Sequence, residues 1–406
     1  MKIWSPLRII ALAFVGVLLS VLAVDSGLRV IEHTPLWRVL PVIEFIMGQP
    51  DRNIGFAATP NAAGISVREN RAPVRLNSLG LRDVERQRVK PAGTFRVGLL
   101  GDSMAEATQV SQPATFGALA EAKLRTEGRA VELINLAIAG PNPIRQLLRL
   151  EDRGYDMNLD LVVANSSADA FLSGLLRDDS ENPAYVDAGD GNLRRGYAFR
   201  ERFSHRYAEH PLGRLFVTLY QNSPLFRMLY LRAKEPWRDI LGLTTVQAVP
   251  APASNQLIPD DVPVDCVTTS AMLDTHLALW RDHRPERDWK PIMRFLDDFA
   301  QSTEAHRVRV LYAIRDLPLT PRDCASGEAR RAELVSIMAS EFSRLGMRFV
   351  DWSATVAETW GKRNLDLLRG FGIRRGAGHL NHEGHRVWAA TLLDVLKPEL
   401  PTRGAN

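Results

Sequence analysis

Phe95-Arg-Val-Gly-Leu-Leu-Gly-Asp-Ser-Met104 is the stretch on which the fold of this chain turns. A short apolar strand stops at Gly101-Asp102-Ser103. In a parallel α/β sheet a nucleophile is presented at the carboxyl edge of the strands. Gly101 permits a sharp turn, and Ser103 opens whatever follows. The same residues also suit an ordinary strand-ending turn, with Ser103 as a helix N-cap.

Working outward, the pattern alternates between strand and helix. Residues 95–100, 131–136, 159–165, 307–314 and 348–350 read as strands. Residues 116–128, 144–153, 328–345 and 385–396 carry apolar side chains at helical spacing. This order predicts a parallel sheet with helices on both faces. Residues 172–290 break the rhythm. Within them 185–193 reads as a hairpin around Asp-Gly turn chemistry, 212–233 as an apolar helix or helix pair, and 246–264 as a long loop. Inserted after the third strand, this segment is placed to act as a lid, or as a peripheral elaboration.

Far downstream lies Gly378-His-Leu-Asn-His-Glu-Gly-His385, just before the last amphipathic helix. Its first histidine, His379, is placed to serve as a general base for Ser103. His379, His382 and His385 also follow a His-x-x-His-x-x-His spacing. His382-Glu-Gly-His385 is one residue short of the helical zinc-binding pattern, so no metal is expected.

Taken together, these motifs resemble the SGNH, or GDSL, hydrolase superfamily. The resemblance implies a flavodoxin-like three-layer α/β/α sandwich and ester hydrolysis or acyl transfer through a Ser-His-Asp triad, without a cofactor. Gly101-Asp-Ser103 matches the first block and makes Ser103 the nucleophile. Glu132-Leu-Ile-Asn-Leu-Ala-Ile-Ala-Gly140 matches the second, whose last glycine lends a backbone N–H to the oxyanion. The third block, normally Gly-Asn-Asp, is replaced by Ser167-Ala168-Asp169, so an oxyanion side chain would come from Asn165, Ser166 or Ser167. The fifth block normally has an Asp two or three residues before its His, where this chain has Ala377 and Gly376. A backbone carbonyl, Glu383, Asp366 or Asp169 would have to orient His379 instead. Asn77-Ser-Leu-Gly-Leu-Arg82 looks like the lead-in of membrane-anchored bacterial members.

The site expected from the resemblance is therefore Ser103 and His379 as catalytic pair, with Ser103, Gly140 and Asn165 as oxyanion donors. The expected substrate is an acyl ester of an envelope lipid or polysaccharide. The losses in the third and fifth blocks motivate an alternative, a catalytically impaired domain of this fold that binds a glycan or an envelope protein.

Composition bounds the remaining possibilities. The chain has 406 residues, 45% of them hydrophobic, and a net charge of +4. Its Lys and Arg are spread along the chain, so no nucleic-acid partner is expected. Lys2 and Arg8 precede an apolar run over 9–24 that ends at Asp25. The run reads as a transmembrane anchor, with the positive residues inside and the remaining chain periplasmic or extracellular. Val21-Leu-Ala23 also suits a cleavable signal segment. The expected organisation is an anchor or signal over 1–30, a juxtamembrane helix and extended lead-in over 31–90, and an α/β domain over 91–400. In an oxidising compartment Cys266 and Cys324 would either pair or stay free. The sequence leaves the oligomeric state open.

Overall fold

The computed structural model describes residues 6–38, 48–67, 69–140, 142–173, 182–189, 192–202, 205–207, 210–234, 264–372 and 375–401. It opens with a long helix, α1 (Pro6–His33), followed by two antiparallel hairpins. These are β1 (Gly48–Asp51) with β2 (Gly55–Ala58), and β3 (Ala63–Ser66) with β4 (Ala72–Arg75). The central strands are β5 (Phe95–Leu100), β6 (Val131–Asn135), β7 (Leu161–Ser167), β10 (Arg309–Arg315) and β11 (Arg348–Asp351). A further hairpin, β8 (Ala184–Asp187) and β9 (Leu193–Gly196), falls where Asp-Gly turn chemistry placed one. The helices after α1 are α2 (Ser103–Glu106), α3 (Phe116–Thr126), α4 (Pro143–Arg149), α5 (Ala168–Ser173), α6 (Pro211–Asn222) and α7 (Pro224–Lys234). They continue with α8 (Cys266–Trp280), α9 (Glu286–Ala305), α10 (Ala325–Arg344), α11 (Trp352–Trp360) and α12 (His382–Leu396).

The central sheet is entirely parallel, ordered β6-β5-β7-β10-β11. Numbered by position in the chain, that order is 2-1-3-4-5, the flavodoxin-like winding. Period-two alternation divides each strand between two cores. Val97, Leu99, Leu133, Leu161, Val163, Leu311 and Ala313 face one layer, with α3, α11 and α12. Leu100, Ile134, Val162, Ala164, Val310, Tyr312 and Ile314 face the other, with α4, α8, α9 and α10. The expected three-layer α/β/α sandwich is therefore what the chain forms. In this winding the ligand crevice opens at the carboxyl ends of the two strands flanking the switch point, here β5 and β7.

Some elements differ from the sequence expectation. The lead-in, read as an extended connection, contains the β1–β2 and β3–β4 hairpins. The pair α8 and α9 also went unread. In α9, Pro291 sits inside the helix and interrupts the sequence signal for it. Residues 246–263 of the expected loop lie outside the described residues. Cys266 and Cys324 form a disulfide joining α8 to the start of α10.

Candidate active site

Ser103 stands where β5 gives way to α2. Gly101 is required at the turn, because an added Cβ would lie 2.6 Å from the Ala105 Cβ and 3.4 Å from the Asn165 carbonyl oxygen. Asp102 caps the single helical turn by accepting the Met104 N–H at 3.0 Å. From Gly101 to Ala107 only Ser103 is not fully buried. The turn thus exposes one side chain, as a nucleophile requires.

The second oxygen of Asp102 is held by Arg315 Nη2 at 2.5 Å, from the end of β10. Both side chains are buried. Burial alone would lower the Arg315 pKa, but Asp102 and Asp316 outweigh it and raise it. Arg315 Nε lies 3.1 Å from Asp316, and Asp316 in turn pairs with Arg369. Burial favours the neutral form of Asp316, yet Arg315 and Arg369 keep its pKa below the ordinary carboxylate value. Arg369 pairs with Leu380 in an isolated bridge, and the Gly370 N–H donates to the His379 carbonyl at 2.8 Å. A chain of buried and half-buried charges therefore joins the Ser103 turn to the histidine loop.

His379 receives what its own loop does not carry. Its Nδ1 lies 2.6 Å from Glu69 Oε1, and its backbone N–H donates to Glu69 Oε2 at 2.9 Å. An ionised carboxylate only accepts, so Nδ1 carries the proton and Nε2 is the free acceptor. Gly378, at φ +85°, makes the approach possible: a Cβ there would sit 2.8–3.0 Å from the Glu69 carboxylate. Glu69 comes from the loop between β3 and β4. The next residue, Asn70, anchors that loop by donating to the Gln109 carbonyl at 2.9 Å. Arg82 clamps the same segment, donating to Ala107 O at 3.2 Å and to Val110 O.

The expected substitutes for the missing acid do not take this place. Glu383 pairs with Arg386 on the first turns of α12. The carboxylate bonded to the His379 ring is that of Glu69, not of Asp366 or Asp169. Neither a backbone carbonyl nor a neighbour in sequence orients the ring. His385 is a core residue, with Phe116 N–H donating to its Nδ1 at 3.3 Å and its ring stacked on Phe116. Burial, followed by electrostatic repulsion from His382, Arg82 and His379, lowers its pKa to about 3. Among the described residues no His/Cys/Asp/Glu group is arranged to hold a metal.

The oxyanion candidates separate clearly. Ser166 Oγ bonds to Tyr312 and Gln146 on the far face of the sheet, and Ser167 bonds to Asp316. Asn165 remains at the edge facing Gly101. Its Oδ1 accepts from Arg315 Nη1 at 3.3 Å, which fixes the amide so that Nδ2 points away from the guanidinium. Gly140, at φ +107°, follows β6 and lies beside Arg145. Arg145 donates to the Ala139 carbonyl at 2.7 Å, while Glu106 of α2 accepts the Ala139 N–H. The loop carrying Gly140 is thereby tied to the helix carrying Ser103.

As N1 of α2, Ser103 has a backbone N–H without an intrahelical acceptor. Ser103 Oγ and His379 Nε2 form no hydrogen bond with each other. Such contacts often close only around substrate.

Sequence reasoning named Ser103, His379, Gly140 and Asn165. It missed Glu69, Arg315, Arg82 and Glu106. Glu69 sits in the polar run Val67-Arg-Glu-Asn-Arg71, which has no local mark of a catalytic acid.

No family model matches the chain, and no curated protein matches it. Among solved structures it is similar to TesA, at 12% identity over 75% of this chain and 99% of that one, with a TM-score of 0.37. It is similar to the psychrotrophic esterase EstA from Pseudoalteromonas sp., at 10% identity over 75% and 97% of the two chains, with a TM-score of 0.36. A GDSL-like lipase from Bacteroides thetaiotaomicron aligns at 10% identity over 75% and 89%, with a TM-score of 0.30.

Proposed function

We propose that this chain is a membrane-tethered SGNH-type serine ester hydrolase or acyl transferase, with Ser103, His379 and Glu69 as its triad. The observation that carries the reading is the paired contact of Glu69 with the ring and backbone of His379, at 2.6 and 2.9 Å. In a serine triad the carboxylate fixes the histidine tautomer and stabilises the imidazolium that forms. A glutamate supplied from the lead-in meets that need, and it answers one of the two losses that motivate reading the chain as an impaired scaffold.

Chemically, Ser103 Oγ adds to the acyl carbonyl while its proton passes to His379 Nε2. Negative charge develops on the carbonyl oxygen, where the N–H groups of Ser103 and Gly140 and the Asn165 amide stabilise it. The tetrahedral adduct collapses, and the imidazolium returns its proton to the departing alkoxide. Water, or a second alcohol, then takes the acyl group from Ser103 by the same steps in reverse.

The substrate class follows from the setting. Helix α1 is 28 residues long, and its apolar 18-residue window has a mean hydropathy of 2.6 and is unburied. Arg8 near its start and the Cys266–Cys324 bridge support a globular domain on the oxidising side. An acyl ester on an envelope lipid or polysaccharide is the substrate available there.

The test is hydrolysis of short-chain p-nitrophenyl esters by the full chain in detergent. Ser103→Ala and His379→Ala should abolish turnover, and Glu69→Gln should lower kcat by about 10⁴. Turnover unchanged in Ser103→Ala would overturn the reading.

A further inference from the structure

We infer that the α6–α7 hairpin is an amphipathic foot whose leucine face lies in the headgroup layer of the bilayer that α1 enters. The inference rests on the anchor reading of α1. Sequence analysis placed this helix pair within a segment read as a lid or a peripheral elaboration, and the structure ties it to α1 through the contacts that follow.

Arg227 of α7 is fully buried and grips Glu32 of α1 with Nη2, at 2.6 and 2.8 Å from the two carboxylate oxygens. Two turns earlier on α1, Asp25 accepts the Ser223 hydroxyl at 2.7 Å and the Leu225 N–H at 3.1 Å. Asp25 is the first charged residue after the apolar run of 9–24. The hairpin is therefore bolted to α1 where the chain leaves the hydrocarbon. A buried ion pair there fixes its height relative to the anchor.

The hairpin has two unlike sides. Phe216 and Tyr220 of α6 pack edge-to-face on Tyr230 of α7, at 4.9 and 5.3 Å, and Phe216 also meets Phe226 at 5.5 Å. Leu212, Leu215 and Leu219 fall on one face of α6 by spacing, and they are 59%, 53% and 39% exposed. Leu229 of α7 is 58% exposed, and exposed Arg214 stands beside the leucine face. A leucine face rimmed by a cation, carried by a helix held beside a membrane span, suits the boundary between acyl chains and phosphates. Water is a poor environment for it, and the bilayer is already at that height.

The other edge of the hairpin reaches the catalytic domain. Gln221 of α6 donates to Gln49 of β1 at 3.3 Å and to Thr59 just after β2. The foot is thus wedged between anchor and domain, so lipid contact would set the standing height of the site above the membrane.

The test places one fluorophore at a time on the full chain in lipid nanodiscs. The native cysteines are bridged, so a maleimide dye labels only an introduced thiol. Leu215→Cys probes the foot, Leu12→Cys the anchor, and Val89→Cys a solvent-exposed site of the globular domain. Lipids carrying a spin label near the headgroup should quench the dye at 215 at least about twofold more than at 89. Lipids labelled deeper should quench the dye at 12.

Quenching at 12 with 215 behaving like 89 would overturn the foot and leave the anchor intact. Absence of lipid quenching at both 12 and 215 would overturn the anchor reading and the foot with it. A dye at 215 shielded from lipid quenchers and from aqueous iodide alike would mean that protein covers the face, which also overturns the proposal.

Discussion

Glu69 and His379 lie 310 residues apart in the chain, and their contact depends on a missing side chain between them. An alanine at position 378 would put a methyl group 2.8–3.0 Å from the Glu69 carboxylate and would force a left-handed φ on a residue that resists it. Gly378→Ala should therefore retain the fold but displace the acid, lowering kcat by about 10². Matched circular dichroism and esterase rates check this, and an unchanged kcat would show that the contact is not used in turnover. Nearby His385 makes a separate statement about pH. Its pKa falls from 6.5 to about 3 because burial, and then the charges of His382, Arg82 and His379, oppose its protonation. Between those values the unfolded chain binds a proton that the folded chain refuses. Stability consequently falls as pH falls, by up to about 1.4 kcal/mol per pH unit. His385→Gln keeps an acceptor for the Phe116 N–H but does not titrate. Its denaturation midpoint should decline less between pH 6.5 and 4 than that of the wild type. Parallel declines would locate the acid sensitivity elsewhere.

At the scale of elements, the five central strands were legible because each combines an apolar run with a turn at its end. The stretches that carry Ser103, Gly140 and His379 stood out for a related reason, since each lies at or between a strand end and a helix start. The contact of Glu69 with His379 was not legible, because no local pattern shows that a polar loop between two four-residue strands folds back onto the histidine loop. That loop is set by long-range contacts such as Asn70 to the Gln109 carbonyl. The neighbouring β1–β2 hairpin is held by Arg145 of α4, which donates to Ile54 O at 3.2 Å, Phe56 O at 2.6 Å and Ala139 O at 2.7 Å. One guanidinium thus joins the β1–β2 hairpin to the loop that carries Gly140. It also faces the buried Glu106, whose pKa burial raises against the pull of Arg149, Arg82 and Arg145. Arg145→Met fills similar space but leaves these carbonyls and one carboxylate under-satisfied. It should cost about 3 kcal/mol in urea denaturation. A loss within about 0.5 kcal/mol, the range of an ordinary surface change, would mean that the lead-in docks by apolar contact alone.

For the molecule as a whole, the strongest covalent constraint lies away from the site. The Cys266–Cys324 bridge closes 58 residues of chain, including α8, α9 and β10, and ends just before α10. Those elements supply Trp280, Phe295, Phe299 and Tyr312 to one of the two cores. Opening the bridge leaves these contacts intact and acts chiefly on the unfolded chain, which gains freedom when the loop is released. For a loop of this length the entropic gain corresponds to about 4 kcal/mol. Cys266→Ser with Cys324→Ser should therefore lower the unfolding free energy by about that amount, while ester turnover at 25 °C stays within about twofold, because neither sulfur touches the triad. Both cysteines are needed in the same variant, since a lone thiol could form adventitious disulfides between chains. If turnover fell together with stability, the α8–α10 layer would be acting on Arg315 through β10, and the bridge would belong to the machinery that holds the nucleophile turn.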